Sequence, residues 1–416
     1  MSDTSAATVS QRVPPKVRSG PMSRGLAFAA VTMMLAVFSV AASAPSPLYV
    51  VYQKEWGFTS TTLTVVFAVY VVGMLLSMLV VGGLSDHVGR RPVLFAAIAV
   101  EIAAMVLFIA AGDVAVLIIA RIVQGVATGA AMTTLGATLV DFNPQHAPTR
   151  AGVVNSIAPV AGIALGALGA GALVQYGPAP TKFVYELLLG VLVIAVLLVT
   201  VMPETSVFRP GARASFAPRL GVPARLRVDL LVLTPVLVAS FALLGLYLSL
   251  GPSVAVSTFG LTNHLIGGLV ISLLAAAGSV TAFVLRIWPV GRMRAVSAGL
   301  LAVGTVLTLI GIAVTTVALA GVGTVVAGIG FGAASLAVFG TLARLAAPEE
   351  RGELFAVAYV VGYLAFSIPS VVAGFAATSA GLRPTTVVYA IVVAALSAVA
   401  LALQAVQSRS HRRLAQ

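Results

Sequence analysis

Two ionisable residues and one amide lie inside long apolar stretches of this sequence, where they could do chemistry that apolar side chains cannot. Arg121 and Gln124 occur in one such stretch, and Glu101 lies near the middle of the stretch before it. A charge at the centre of a membrane helix costs about 2.5–3.5 kcal/mol, so such a residue normally faces a partner or a water-filled cavity. Arg121 could instead snorkel to the outer interface. Glu101 is either a carboxylate that takes up and releases protons or a protonated acid bonded to a neighbouring helix.

A second group of charges lies in the turn of residues 82–92, which reads Gly-Gly-Leu-Ser-Asp-His-Val-Gly-Arg-Arg-Pro. Long apolar stretches flank it on both sides, so this charged turn must lie at a membrane surface rather than in lipid. Gly89 allows a sharp backbone bend. Pro92 suits the first turn of the next helix, where its missing N–H is not needed. Asp86 is within reach of Arg90 across the turn.

Both groups resemble signatures of the major facilitator superfamily. The pattern Gly-x-x-x-Asp-x-x-Gly-Arg-Arg resembles its cytoplasmic loop between spans 2 and 3, and Arg-x-x-Gln-Gly resembles its span-4 signature. The resemblance implies two six-helix bundles that rock about a central cavity. It implies that Arg121, with Gln124 and Glu101, serves proton coupling or substrate binding. The candidate conformational latch, which would hold the cytoplasmic side when the site faces outward, comprises Gly82, Asp86, Gly89, Arg90 and Arg91.

The composition is that of a polytopic membrane protein. The 416 residues are 60% hydrophobic and only 9% charged, and the mean hydropathy is +1.09. A soluble protein carries roughly 25% charged residues. Since a span needs about 20 apolar residues, this length accommodates twelve spans plus loops. We expect an all-α membrane protein with twelve transmembrane helices in two pseudo-symmetric six-helix bundles.

The apolar stretches divide the chain into five parts: a cytoplasmic tail (1–23), a first bundle (24–202), a cytoplasmic linker (203–228), a second bundle (229–406) and a cytoplasmic tail (407–416). The predicted spans are about 24–48, 60–83, 92–112, 115–140, 150–175, 183–202, 229–250, 263–287, 295–316, 319–343, 354–378 and 384–406. With both termini inside, only Lys54, Lys182 and Arg383 fall outside and Arg121 falls within a span. The other Lys and Arg residues are cytoplasmic, which obeys the positive-inside rule. We expect a multi-pass protein of the plasma (inner) membrane with both termini cytoplasmic.

An internal repeat supports the two related halves. The stretch that begins Gly125-Val-Ala-Thr-Gly129 recurs as Gly328-Ile-Gly-Phe-Gly332, with both glycine pairs in register. Repeated halves around a midplane site are typical of secondary transporters. Span 5 departs from the antiporter pattern Gly-Pro-x-x-Gly-Gly, because it reads Gly-Ala-Leu-Gly-Ala-Gly from Gly166 onward. Antiport is therefore permitted by the sequence but not established.

The resemblance implies that spans 1, 4, 7 and 10 line the cavity, with spans 5, 8 and 11 behind. The candidate lining residues are Met33, Met34, Phe38, Met132, Asn155, Phe241, Tyr247, Phe331, Tyr359 and Tyr363. Methionine and aromatic side chains suit varied apolar guests, although each of these residues could instead serve helix packing. No span carries a cluster of charges suited to a strongly charged solute. We therefore expect a neutral, amphipathic or weakly cationic substrate.

Several other functions lack support in the sequence. There is no cysteine, no phosphate-binding loop, no metal-ligand spacing and no hydrolase motif, so we expect neither cofactor nor metal. The net charge of +12 is spread over short loops and tails, which does not suggest nucleic acid. The favoured function is proton-driven export of a small organic compound by a monomer whose partners are the bilayer, the substrate and the proton. Metabolite uptake or facilitated diffusion is the alternative, and a transport-inactive sensor or an intramembrane enzyme is least favoured.

Overall fold

The structure is a computed structural model that describes residues 21–144, 146–147, 149–206, 208, 210–216, 220–347 and 350–414. Within these residues, twelve helical segments are long and apolar enough to cross a membrane. Spans 1 to 12 are Arg24–Trp56, Ser60–Val81, Arg90–Ala110, Val114–Asp141, Arg150–Tyr176, Phe183–Val201, Ala224–Ser249, His264–Ile287, Val290–Ala313, Val317–Leu345, Arg351–Ala380 and Leu382–Gln404. The predicted all-α, twelve-span architecture is thus confirmed. Most of the predicted tail 1–23 lies outside the described residues, and residues 407–414 of the other tail continue the last helix.

The prediction that span 1 ends near residue 48 is wrong. The helix breaks at Ala44 and restarts at once as Pro45–Trp56, so Lys54 and Glu55 belong to its last turn rather than to a loop. Proline at the first position of the new segment suits a helix start. Span 7 is extended in the same way by the short helix Gly251–Phe259, which begins with a Gly-Pro pair. Both extensions end at a glycine with φ of +67°, a conformation that disfavours other residues.

The repeated glycine pairs have the same packing role in the two halves. They allow span 4 to pack closely against span 2 and span 10 against span 8. A Cβ at any of the four would overlap a backbone carbonyl or Cα atom of the facing helix. The contacts are Gly125 with Tyr70, Gly129 with Met74, Gly328 with Leu274, and Gly332 with Gly278. Small residues that let backbones approach closely are a main source of helix association in membranes. The internal repeat of the sequence is therefore also a repeat of packing.

The two halves meet along span 2 with span 11 and along span 5 with span 8. We call the end of the bundle that carries the charged turn of residues 82–92 the basic face, and the opposite end the far face. Hydrogen bonds join the halves toward the far face. The hydroxyls of Thr61 and Thr378 lie 2.9 Å apart, and the backbone N–H of His264 donates to Gln175 Oε1 at 2.9 Å.

The two ends of spans 5 and 11 differ in how closely they are packed. Toward the far face, a Cβ at Gly171 or Gly374 would overlap atoms of the opposite half. Near the basic face, a Cβ at Gly152 or Gly352 would meet open space. The close contacts between the halves named above thus lie toward the far face.

Candidate functional site

Arg121, Gln124 and Glu101 form one hydrogen-bonded chain between spans 4 and 3. Arg121 Nη1 donates to Gln124 Oε1 at 2.6 Å, and Gln124 Nε2 donates to Glu101 Oε1 at 3.2 Å. All three side chains have no exposed surface. Because the guanidinium and the carboxyl group bond to opposite ends of one amide, a movement of either group must move Gln124.

Two residues of this hydrogen-bonded chain also bind the backbone of span 1 at its break. Pro45 has no N–H, so it cannot donate to the carbonyl of Ala41 as a residue four positions later would in an unbroken helix. Gln124 Nε2 donates to that carbonyl at 2.9 Å, and Arg121 Nη1 donates to the neighbouring carbonyl of Ala42 at 3.1 Å. Spans 3 and 4 are thereby linked through two side chains to the point where span 1 changes direction.

The surroundings of Arg121 are aromatic and dry. Its guanidinium carbon lies 4.4 Å from the ring centroid of Tyr70 and 5.7 Å from that of Tyr49, within the range of cation–π attraction. With no exposed surface, Arg121 neither snorkels to an interface nor opens onto solvent in this conformation. Arg121 Nε and Nη2, Glu101 Oε2 and the Tyr49 hydroxyl have no hydrogen-bond partner among the described residues. Buried polar atoms are rarely left so, and Glu101 Oε2 is chemically the atom that can carry a proton.

The charged turn is the centre of a second polar cluster, at the basic face. Arg90 Nη1 lies 2.7 Å from Asp86 Oδ1, and its Nε lies 3.1 Å from Asp141 Oδ2 at the end of span 4. Glu204, just after span 6, accepts from the backbone N–H groups of Arg90 and Arg91 at 2.9 and 3.0 Å. It therefore caps the N-terminus of span 3, where a carboxylate is favoured.

Gly89 is required in this cluster, since its φ is +103° and a Cβ there would lie 3.0 Å from the Glu204 carboxylate. Gly82 ends span 2 in ordinary helical conformation. Sequence reasoning missed the partners Asp141 and Glu204, although both stand in polar segments on the same predicted side. The ion pairs and the Glu204 bonds join elements of the first half only. The conformational latch predicted for Gly82, Asp86, Gly89, Arg90 and Arg91 stays a prediction.

The ten predicted lining residues fall into two groups. Six are at least partly exposed: Met33, Met132, Asn155, Phe241, Tyr359 and Tyr363. Four are buried in helix contacts: Met34, Phe38, Tyr247 and Phe331. The Tyr247 hydroxyl, for example, is 2.7 Å from Thr324 Oγ1 of span 10, and the Phe331 ring packs against Gly278. In this conformation the second group therefore supports the wall rather than forming its surface.

Aromatic side chains line the face of span 11 that turns toward spans 7, 10 and 2. We call the set Phe355, Phe339, Tyr359, Tyr363, Phe241, Phe366 and Phe67 the aromatic ladder. Each ring has a neighbour in the set with a centroid 4.8–6.2 Å away. The sequence prediction included only three of the seven rings. The missed signal is the spacing of Phe355, Tyr359, Tyr363 and Phe366, which puts four rings on one helical face.

Twelve spans in two related halves are typical of secondary membrane transporters. A family profile described as Major Facilitator Superfamily matches residues 26–370. The chain belongs to this superfamily, and it is a transporter rather than an enzyme.

Relatives and solved structures agree with this assignment. A curated protein of Penicillium rubens named as an MFS-type transporter, paaT, is 32% identical over 120 residues; these are 29% of this chain and only 22% of that protein. A bacterial homologue of the human lysosomal transporter Spinster, solved inward-facing and unoccupied, matches with a TM-score of 0.71 at 11% identity, over 93% of this chain and 98% of that one. The human organic anion transporter MFSD10 (TETRAN) matches with a TM-score of 0.67 at 17% identity, over 91% and 100%. At these identities the solved structures support the fold alone.

Proposed function

We propose that this transporter exports a small neutral, amphipathic or weakly cationic organic compound and that inward proton flow drives the export. The observation that carries the proposal is the chain Glu101–Gln124–Arg121. It joins a buried carboxyl group, the only protonatable acid placed mid-span among the described residues, to the bend of span 1. The predicted lining residues that are at least partly exposed carry no charge, among them Met33, Met132 and Asn155, and this supports the substrate class.

The proposed coupling follows from the hydrogen bonds of Gln124. When Glu101 is ionised, its carboxylate attracts both the amide N–H of Gln124 and the positive charge of Arg121. When Glu101 is protonated, its attraction for Arg121 is lost, and the guanidinium is held by the Ala42 carbonyl, by Gln124 and by the neighbouring tyrosine rings. Each change in the protonation of Glu101 thus alters the strength with which Arg121 and Gln124 bind the backbone carbonyls at the break in span 1. A small shift there is transmitted to the cavity, because span 5 packs on span 1 through Gly166, where a Cβ would overlap span 1.

Glu101→Gln tests this proposal. Glutamine keeps an acceptor for Gln124 Nε2 but cannot release a proton, so exchange of substrate across the membrane should persist while the response to a pH gradient is lost. The measurement is flux in proteoliposomes, with and without a pH gradient, of compounds that raise the melting temperature of the purified protein. Glu186→Gln is the matched control, because Glu186 is an exposed acid in the first turn of span 6.

The results of these flux measurements distinguish the candidate functions. Gradient-driven flux that persists in Glu101→Gln would refute coupling through Glu101. Flux that ignores the gradient in the unmodified protein would favour facilitated diffusion, the alternative reading. Uptake in place of export would show as substrate accumulation on the side of higher pH when that side corresponds to the cytoplasm.

We also propose that the basic face is cytoplasmic, with both termini inside and the protein monomeric in the plasma membrane. The sequence contains no cysteine, so single cysteines can report sidedness without background. Ser206→Cys lies beside the charged turn and Lys182→Cys lies on the far-face loop. A membrane-impermeant maleimide applied to intact cells should label the second and not the first, and the reverse result would invert the topology.

A further inference from the structure

The hydroxyls of Tyr359 and Tyr363 have no hydrogen-bond partner among the described residues. Other tyrosines near the helix contacts do have one: the Tyr247 hydroxyl is bonded to Thr324, and the Tyr389 hydroxyl donates to the Ala242 carbonyl at 2.8 Å. Tyr359 and Tyr363 are also partly exposed, unlike Tyr247 and Tyr389. Their phenol groups are therefore donors that another molecule can reach.

The rings of these two tyrosines form the middle of the aromatic ladder. Tyr359 and Tyr363 lie 6.2 Å apart with planes inclined by 21°, and Phe241 meets Tyr363 edge-on at 82°. Phe366, the next ring of the ladder after Tyr363, has its centroid 4.8 Å from that of Phe67 in the first half. The ladder therefore faces the other half, and hence the space between the halves rather than the lipid.

Charge is absent from this wall. The charged side chains of spans 7, 10 and 11 lie at the basic-face ends of the helices, at Arg225, Arg227, Asp229, Arg344, Arg351 and Glu353. A charged guest beside Tyr363 would lose its hydration without gaining a counter-ion, which is strongly unfavourable. A flat π-system, by contrast, can extend the ladder by stacking on or meeting the edges of the exposed rings.

We propose that the aromatic ladder is the substrate-binding wall of the transporter and that its substrate is an uncharged, planar aromatic molecule carrying a hydrogen-bond acceptor. The proposal rests on the proposed function, whose substrate class it narrows. The guest's ring plane continues the ladder against Tyr359 and Tyr363, and one or both phenol O–H groups donate to its acceptor. Phe241 and Phe339 hold the two tyrosines in position from spans 7 and 10.

Binding of coumarin and octahydrocoumarin tests the aromatic requirement, because both are neutral lactones of one skeleton and only the first is planar and aromatic. Equilibrium dialysis against the full-length protein in nanodiscs, with empty nanodiscs subtracted, gives the two affinities. Stacking on two rings should make coumarin bind at least about fivefold more tightly. Equal affinities would overturn the proposal. So would binding of coumarin-3-carboxylate as tight as that of coumarin, since this probe keeps the planar aromatic ring and adds a charged carboxylate group.

Variants locate the site. Tyr363→Leu should abolish most of the preference for coumarin, and Tyr363→Phe should keep the ring preference while weakening coumarin by roughly two- to tenfold through the lost hydrogen bond. Phe375→Leu is the matched control, because Phe375 is an exposed aromatic on the same span outside the ladder. An equal loss in Phe375→Leu, or no loss in both Tyr363 variants, would refute the assignment. Melting temperatures of all variants identify a folding defect, and Tyr363→Phe keeps the packing if leucine does not.

Flux distinguishes this proposal from the broader one. If the pH gradient drives other compounds but coumarin binds no better than octahydrocoumarin, the aromatic substrate class is wrong and the proposed function stands. If coumarin binds preferentially but no compound responds to the gradient, the coupling proposal is wrong and the aromatic wall stands.

Discussion

Replacing Gln124 by leucine probes the junction between span 4 and the break in span 1. The amide makes three hydrogen bonds, to Arg121, Glu101 and the Ala41 carbonyl. Arg121 Nη1 keeps its bond to Ala42, but Glu101 Oε1 and the Ala41 carbonyl each lose the partner that Gln124 supplies. At about 1–3 kcal/mol for each buried group left unsatisfied, the free energy of unfolding should fall by about 2–6 kcal/mol.

Pro45 provides an internal test of this reasoning. Ala44 already has helical backbone angles (φ −54°, ψ −39°), so Pro45→Ala can restore an N–H donor to the Ala41 carbonyl with little rearrangement. In that background the carbonyl no longer depends on Gln124. The cost of Gln124→Leu should then be smaller by about 1–3 kcal/mol, the cost of leaving that one buried carbonyl unsatisfied.

The assay is reversible unfolding of four purified proteins (unmodified, each single variant and the double variant) in mixed micelles of increasing SDS content, followed by circular dichroism. The double-mutant cycle isolates the coupling between positions 45 and 124. Changes that add to within about 0.5 kcal/mol would mean that the two residues act independently, and the account of the span 1 break would be refuted. Coupling of the opposite sign would refute it equally.

Two further predictions concern the charged turn and the glycine repeat. Asp86→Asn should change the free energy of unfolding by less than about 1 kcal/mol, because Asp86 is half exposed and Arg90 keeps Asp141. Substrate flux through Asp86→Asn in proteoliposomes should nevertheless fall if the charged turn meets the second half when the basic face closes. Unchanged flux, equal to that of the control Asp229→Asn, would rule out a latch. Gly125→Ala and Gly328→Ala should each lower the melting temperature, since a Cβ would overlap the facing backbone, whereas Gly299→Ala, which meets open space, should not. Equal melting temperatures for Gly125→Ala and Gly299→Ala would contradict the packing argument.

The fold could be predicted from the sequence because a bilayer leaves few choices. Apolar length determines the number of spans, and the glycine repeat indicates two related halves. The extension of span 1 was missed for a physical reason. Proline normally signals a helix end, but at a break it can equally be the first residue of a new segment, and only the facing polar groups of span 4 decide between these.

The sequence identified several residues of the candidate site but not how they are arranged in space. Buried Arg121 and Glu101 were conspicuous because charge is rare in apolar helices. That Gln124 joins them depends on how spans 3 and 4 are rotated, which no single-helix pattern specifies. Likewise, Phe38 and Tyr359 are both aromatic residues of predicted spans, yet Phe38 is buried and Tyr359 is partly exposed.

The two halves share a packing scheme but differ in chemistry, and the repeat register shows where. The second half has Thr324, Ala327 and Gly304 at the positions that correspond to Arg121, Gln124 and Glu101 of the first half.

At that second position the backbones of spans 9 and 10 touch, since a Cβ at Gly304 would overlap the backbone of Ala327. The hydrogen bond between Glu101 and Gln124 is thus replaced by close contact of small residues, and no proton carrier remains there.

The aromatic ladder belongs almost entirely to this second half. If proton binding and substrate binding are so divided, Glu101→Gln should leave the affinity for coumarin unchanged, and Tyr363→Phe should leave the response of transport to the pH gradient unchanged. A variant that altered both would show that one half carries both tasks.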